Sequence, residues 1–473
     1  MTLRSFSIHG HFYQPPREDP ISGRIPNEAG CAPYKNWNEK IHAECYRPNA
    51  ELGNFERISF NVGPTLCEWM RKQDPDTCQK IREQDLANVS RFGVGNAIAQ
   101  AYNHTILPLA NPEDKVTQVR WGIEDFEHHF GRKPQGMWLP ETAADIETLA
   151  VLAENGIQFT ILAPWQADTD HLDPTEPYRV QLPGGKSITV FFYHAELSAR
   201  ISFDPGATTN ADFFINHLLT PAFRPEKSME GWPQILMIAS DGELYGHHQH
   251  FRDRFLAHMV NGASAQAGVA STYPALWLKE HSPRRVVGIR NKTSWSCHHG
   301  VMRWMGECGC IPGDGVWKAY LRRSFDRLAY VLNREYADAV MPYIPDPWEL
   351  RNRYIQVILG NRSVADLTAE MAGRSLSGEV VERLKLLLQA QYERQRMFTS
   401  CGWFFEDFAR IEPKNNVTYA AQAVALTQMA TGVDLAPLIM SDLQHVFSHR
   451  TGLRGDVIFR RQLQRVQELA ALP

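Results

Sequence analysis

Long apolar runs are missing from this chain of 473 residues. Nothing approaches the roughly 20 consecutive apolar residues that a membrane-spanning helix needs, so no membrane partner is expected. Cysteine is scarce: Cys31, Cys45, Cys67, Cys78, Cys297, Cys308, Cys310 and Cys401 are the whole set, unlike the dense frameworks of small secreted domains. Free thiols and a cytoplasmic location are the expectation. The first residues lack a basic stretch leading into an apolar one, the mark of a secretory leader. Basic blocks and basic amphipathic helices are absent too, and a formal net charge of −4 offers no general attraction for nucleic acid or anionic lipid. No internal repeat or low-complexity tract stands out. What remains is 43% hydrophobic and 22% charged, the composition of a soluble globular chain with room for two or three domains. The expected partner is small or uncharged, and the oligomeric state is left open.

The first part of the chain alternates two periodicities. Short apolar runs bounded by turn residues predict strands at Leu3 to Ile8, Gln135 to Leu139, Phe159 to Leu162, Ile188 to Tyr193, Ile235 to Ala239 and Val286 to Ile289, as buried parallel strands read. Between the second and third, Ile146, Leu149, Ala150 and Ala153 fall on one helical face, and Asn155-Gly156 supplies a left-handed stop. Strand, helix and strand within about thirty residues make an α/β parallel sheet or barrel the expectation. After roughly residue 310 helical stripes take over, as at Leu321, Phe325, Leu328 and Leu332, and again at Val381, Leu384 and Leu388. Segments rich in Pro, Gly, Asp and Thr predict long loops at Pro164 to Lys186 and Pro221 to Pro233.

Two carboxylates stand where an apolar run gives way to a polar loop: Glu141 in Gly-Met-Trp-Leu-Pro-Glu and Asp241 in Ile-Leu-Met-Ile-Ala-Ser-Asp-Gly-Glu. A barrel enzyme presents its reactive groups at such places. Cleaving a glycosidic bond takes one carboxylate to attack or stabilise the anomeric centre and another to carry the proton. The plain alternative is that Glu141 favours the N-terminus of the next helix and Asp241 caps a turn. Glu243 either shares the face of Asp241 or is exposed. His9 and His11 lie on one side of an extended run that ends at Gln14, and His247 and His248 follow Asp241. They suit neutral hydrogen bonding to a polar ligand, or metal binding completed by a carboxylate such as Asp241. Trp138 and Trp295 adjoin these polar clusters and offer faces for a sugar ring. Cys297, His298, Cys308 and Cys310 contain the elements of a zinc site without the paired C-x-x-C spacing, so packed thiols are the expectation and no metal or cofactor is assigned.

Together these segments resemble glycoside hydrolase family 57. His9-Gly10-His11-Phe12-Tyr13-Gln14-Pro15-Pro16 is similar to the family's opening His-x-His-Gln-Pro motif, with Phe12-Tyr13 interposed. His104-Thr105-Ile106-Leu107-Pro108-Leu109 is similar to the segment ending in a proline-leucine pair, with Gly93-Val94-Gly95-Asn96 where a glutamate often stands upstream. Trp138-Leu139-Pro140-Glu141 resembles the nucleophile motif, and Asp241 to His248 the acid/base motif. The resemblance implies an incomplete (β/α)7 barrel over residues 1–300 and an α-helical domain of unknown function over 301–473, found in a divergent branch. It implies a retaining enzyme acting on an α-glucan or oligosaccharide, as hydrolase or glycosyl transferring enzyme, with Glu141 as nucleophile and Asp241 as acid/base. His9, His11, Gln14, Trp138, Glu243, His247, His248, Trp295 and His298 are then the candidates for substrate contact. The alternatives are a metal-dependent deacetylase or mannosidase-like hydrolase and a non-catalytic carbohydrate-binding protein. Ser400 to Glu406, where polar and aromatic residues mix, either lines the site or stabilises a domain interface, and the interface is the expectation.

Overall fold

The strand β1, Arg4–Phe12, is buried from Ser5 onward, the burial of a central parallel strand covered on both faces. In the computed structural model, which describes residues 3–470, it is followed by β2 (Ser59–Val62), β3 (Ala99–Gln100), β4 (Met137–Trp138), β5 (Phe159–Leu162), β6 (Tyr178–Gln181), β7 (Ser187–Phe192), β8 (Gln234–Asp241), β9 (Ala270–Ser271) and β10 (Arg285–Val286). β1 pairs in parallel with β2, β8 and β9, β3 with β4, β5 with β7 and β6 with β10. The β6–β7 pair is antiparallel. Parallel single bridges join Phe60 to Ala97 and Gly136 to Phe159, and the His194 N–H donates to Met237 O at 2.7 Å.

Parallel pairing brings carboxyl ends together, and the register sets which residues meet there. His11 lies opposite Asn61 on β2 and Asp241 on β8, and Gln100 opposite Trp138. Beneath them Trp138, Phe159, Ile161, Phe191, Ile235 and Met237 share one buried apolar cluster. Helices cover the strands, their ends set by local chemistry. Asp145 accepts from Thr148 N and caps Ile146–Glu154, whose C-cap is Asn155, with Gly156 following at φ +85.

The chain forms two compact units. The first holds the chain up to Gln14, Asn27–Ala101 and Phe126–Trp295; the second holds Pro15–Pro26, Tyr102–Asp125 and the chain from Ser296 on. The second unit is helical. Trp317–Val340 buries Leu321, Phe325, Leu328 and Leu332, the stripe expected from the sequence. Gly378–Arg396 buries Leu384 and Leu388, leaving Val381 half-buried. Ile411–Thr431 packs on it and is buried around most of its circumference.

Differences from the expected elements follow physical lines. β1 and β8 run further than expected, to Phe12 and Asp241, because the two strands stay paired up to His11 and Asp241. The run at Gln135 to Leu139 pairs only over Met137–Trp138, and Val286 to Ile289 is replaced by Arg285–Val286. The segment Pro164 to Lys186 contains β6, and Pro221 to Pro233 contains the helix Pro225–Met229.

Candidate active site

His9 and His11 point to the same side of β1 and share one acceptor. Asn61 Oδ1 lies 3.2 Å from His9 Nε2 and 3.1 Å from His11 Nδ1. Asn61 Nδ2 donates to Gln100 Oε1 at 2.9 Å, and Gln100 Nε2 donates onward to Ala101 O at 3.5 Å. This chain makes the Asn61 oxygen the acceptor for both rings, so Ser59 Oγ, 2.9 Å from His9 Nδ1, donates to His9. Burial, then the charge of His11, pulls the His9 pKa down to about 3 despite the Asn61 bond; burial takes His11 down to about 4. Both rings are neutral near pH 7. With both nitrogens of His9 engaged, the expected alternative of a metal held by His9, His11 and Asp241 would require breaking this network. Trp138 stacks on His9 at 4.7 Å and on His11 at 5.0 Å.

Glu141 follows β4 in a strained turn. Glu141 and Thr142 are consecutive non-glycine residues with φ of 58 and 49, a left-handed conformation that costs about 1–3 kcal/mol each and persists only where surroundings impose it. Thr142 N donates to Leu139 O at 2.8 Å, and Ala143 N to Pro140 O at 3.0 Å. Gln166 completes the clamp: Thr142 Oγ1 donates to Gln166 Oε1, and Gln166 Nε2 donates to Thr142 O, both at 2.8 Å. Trp295 N donates to Glu141 O at 3.0 Å. The indole Nε1–H of the same residue donates to Glu141 Oε2 at 3.0 Å, so Trp295 orients both ends of the glutamate. The helix that Glu141 was an alternative candidate to favour is capped by Asp145 instead.

Asp241 ends β8 and reaches solvent. Crowding by protein and, second, the charge of Glu141 raise its carboxyl to about 7, and solvent at its exposed side weakens both causes. Glu243 is buried and is raised to about 8 by burial first, with the charge of Asp241 adding to it. Its Oε1 accepts from Tyr46 Oη at 2.7 Å and from Tyr13 N at 3.2 Å. Tyr46 sits on a π-helical turn, His42–Tyr46, a distortion that recurs at functional sites, and Gln14 bonds to the Tyr46 hydroxyl. The loop after Asp241 presses onto this turn at Gly246: a Cβ there would lie 2.2 Å from Glu44 O, at φ +139, so no side chain fits.

The structure thus gathers the rings of His9, His11, Trp138 and Trp295, bonds Glu141 to Trp295, sets Asp241 within electrostatic reach of Glu141, and joins Gln14 and Glu243 through the Tyr46 hydroxyl. His247 pairs with Glu44 at 2.5 Å and packs against exposed His248, anchoring the loop. His298 is exposed and belongs to the second unit. Ser400 bonds His104 at 2.6 Å, and Trp403 bonds Lys318 O at 3.3 Å, all within that unit. Sequence reasoning missed Ser59, Asn61, Gln100, Tyr46 and Gln166. Only the first two left a signal, the alternation of Ile58-Ser59-Phe60-Asn61-Val62. Tyr193 and Trp165 extend the aromatic wall from Trp295, with ring centroids 6.4 Å and 5.9 Å apart along the series. A cavity of about 510 Å³ in the second unit, lined by Trp304, Trp348 and Trp403 among others, contains neither carboxylate.

Fold and site are those of an α/β protein with two electrostatically coupled carboxylates at or just beyond the carboxyl ends of parallel strands. The profile of glycosyl hydrolase family 57 matches residues 9–290, and a domain of unknown function, DUF3536, matches residues 315–468. The chain belongs to glycosyl hydrolase family 57. It is 23% identical over 215 residues to an α-amylase of Pyrococcus abyssi, covering 44% of this chain and 30% of that protein. With a 4-α-glucanotransferase of Thermococcus litoralis the identity is 27% over 174 residues, covering 35% and 25%. The chain thus spans 30% and 25% of the length of these relatives. Among solved structures, an exo-type maltose-forming amylase from Pyrococcus sp. ST04 superposes with a TM-score of 0.77 at 17% identity, over 97% of this chain and 88% of that one. A branching enzyme from Pyrococcus horikoshii gives 0.64 at 16% identity, over 96% of each.

Proposed function

We propose that the protein cleaves or transfers α-glucosidic bonds by double displacement, with the first unit as its catalytic domain. The observation that carries this reading is Glu141, fixed in a strained turn with its carboxylate held by Trp295, beside an Asp241 carboxyl raised by burial and then by the charge of Glu141. Environments that push two carboxyls apart in protonation assign nucleophile and acid. The carboxylate of Glu141 attacks the anomeric carbon while the proton of Asp241 passes to the departing glycosidic oxygen. Asp241 then takes a proton from the acceptor hydroxyl, and the ester to Glu141 breaks with net retention. His9 and His11, neutral and ordered by Asn61, bind sugar hydroxyls, and Trp138, Trp295, Tyr193 and Trp165 offer surfaces to the apolar faces of the sugar rings. Water as acceptor gives hydrolysis; a sugar hydroxyl gives glucan transfer or branching.

The α-amylase, glucanotransferase and branching enzyme among the relatives support an α-glucan as substrate. The bridges from β2 towards β3 and from β4 to β5, with the bond from His194 to Met237, support reading β1, β2, β3, β4, β5, β7 and β8 as an incomplete (β/α)7 barrel. The scarcity of cysteine suits a reducing, cytoplasmic compartment, and among the described residues no helix is long and apolar enough to cross a membrane.

The test is Glu141→Ala incubated with maltooligosaccharides and with α-glucosyl fluoride plus azide. Turnover of natural substrate disappears while the circular dichroism spectrum is kept, and azide restores reaction with the fluoride by taking the place of the missing carboxylate. Full activity of the variant on oligosaccharides, or inversion of the anomeric configuration by the wild type, would overturn the mechanism.

A further inference from the structure

Four metal-ligating side chains outside the candidate active site converge in the second unit. Cys297, His299, Cys308 and Cys310 each offer one atom, and the four atoms lie within 4.8 Å of one another. Cys310 Sγ is 3.7 Å from Cys297 Sγ and 3.4 Å from His299 Nδ1. Around tetrahedral zinc, with Zn–S of about 2.3 Å and Zn–N of about 2.0–2.1 Å, neighbouring ligand atoms stand about 3.8 Å apart for two sulfurs and about 3.6 Å for sulfur and nitrogen. The spacing therefore has the size of a coordination shell, whereas a disulfide would need about 2.05 Å. We propose that Cys297, His299, Cys308 and Cys310 bind one structural zinc ion through three thiolates and one imidazole.

The surroundings are built for such a group. Zinc-bound thiolates are steadied by N–H donors around them, and the backbone N–H groups of Arg303 and His299 are directed at the Cys297 sulfur, with that of His298 at Cys310. His298 thus serves through its backbone while the imidazole of the set is that of His299, one residue on from the histidine considered in the sequence. Gly309, at φ +67, turns the chain between Cys308 and Cys310 so that both sulfurs face the same point. Three thiolates around Zn²⁺ leave a net charge of −1. Lys318 is 3% exposed, and Cys308 and Cys297 are among its charged neighbours, so a buried cation stands ready to offset it. Between Ser296 and Val316 the chain has no regular structure beyond the short turn Met302–Trp304, and such a segment gains most from a metal that closes it. Four protein ligands leave no open position, which makes the role structural. Binding displaces the three thiol protons to solvent.

The full-length protein, purified with reductant and without chelator, is assayed for metal by inductively coupled plasma mass spectrometry, then stripped and titrated with Co²⁺. One zinc per chain is expected, and cobalt gives visible d–d bands of tetrahedral geometry with thiolate-to-cobalt charge transfer in the near ultraviolet. Cys308→Ser, Cys310→Ser and His299→Ala, each checked for folding by circular dichroism, lose stoichiometric zinc; His298→Ala keeps it. The proposal is overturned if reduced wild type takes up no zinc on incubation with the metal, if cobalt shows no thiolate bands, if His298→Ala loses zinc as His299→Ala does, or if Cys297 and Cys310 are found as a disulfide with no metal bound under reducing conditions.

Discussion

Replacing Trp295 by phenylalanine separates the two things its indole does. The ring sits edge-on to Trp138 at 5.1 Å, to His11 at 6.5 Å and to Tyr193 at 6.4 Å, and a phenyl ring keeps most of that contact. What it cannot keep is the Nε1–H bond to Glu141 Oε2 at 3.0 Å. The backbone bond from Trp295 N to Glu141 O and the antiparallel bridge between Ala144 and Thr293 hold the two segments in register regardless of side chain, so the change stays local. A hydrogen bond to a charged group contributes about 1.5–3 kcal/mol. If that bond holds the attacking oxygen in line, its loss lowers kcat/KM by about 10- to 150-fold.

The assay is initial-rate kinetics on a maltooligosaccharide series, with kcat and KM resolved separately. Orientation of the nucleophile predicts that the loss falls on kcat. A rise in KM with kcat unchanged would show that Trp295 serves only as a sugar platform, and full activity would refute the positioning role altogether. A fall in thermal stability as large as the fall in rate would show instead that the indole bond mainly relieves the strain at Glu141 and Thr142.

A proton-donating Asp241 must be protonated at the start, so activity falls as pH rises through its pKa of about 7 and the basic limb of the kcat/KM profile lies near there. Glu141→Gln removes the second of the two causes, so the Asp241 titration, followed by carbon-13 NMR of labelled aspartate, moves down yet stays above the ordinary carboxylate value; an unchanged titration would refute the coupling. In the second unit Asp114 is buried between two buried guanidiniums, 3.1 Å from Arg351 Nη1 and 2.6 Å from Arg394 Nη1, and Gln395 Nε2 donates to it at 2.7 Å. Asp114→Ala leaves both cations without their counter-charge and lowers unfolding free energy by about 3–5 kcal/mol, read from urea midpoints; a loss under about 1 kcal/mol would refute that accounting.

The two carboxylates that we propose as the reacting groups stood out in the sequence because each follows an apolar run. Where a buried strand stops, a carboxylate is conspicuous, and Asp241 and Glu141 stand at such stops. The partners of the neighbouring histidines left only a short alternation, for a reason the structure makes plain. β2 puts Ser59 and Asn61 at the positions that face His9 and His11, so the residues that would have completed an apolar strand signal are polar because the histidines need them. Ser59 bonds to His9 across 50 residues of chain, and Gln166 clamps Thr142 across 24; no periodicity encodes such pairings. The same holds at the larger scale. Helical stripes past residue 310 announced the second unit, yet Tyr102–Asp125 joins it from the middle of the strand-bearing region, with Asp114 meeting Arg351 and Arg394 more than 200 positions later. The choice of His299 over His298 is the finest case. In a strand or helix, spacing decides which neighbour faces a cluster, but in an irregular loop each backbone turn re-aims the side chain, and only the three-dimensional path shows which imidazole meets the sulfurs.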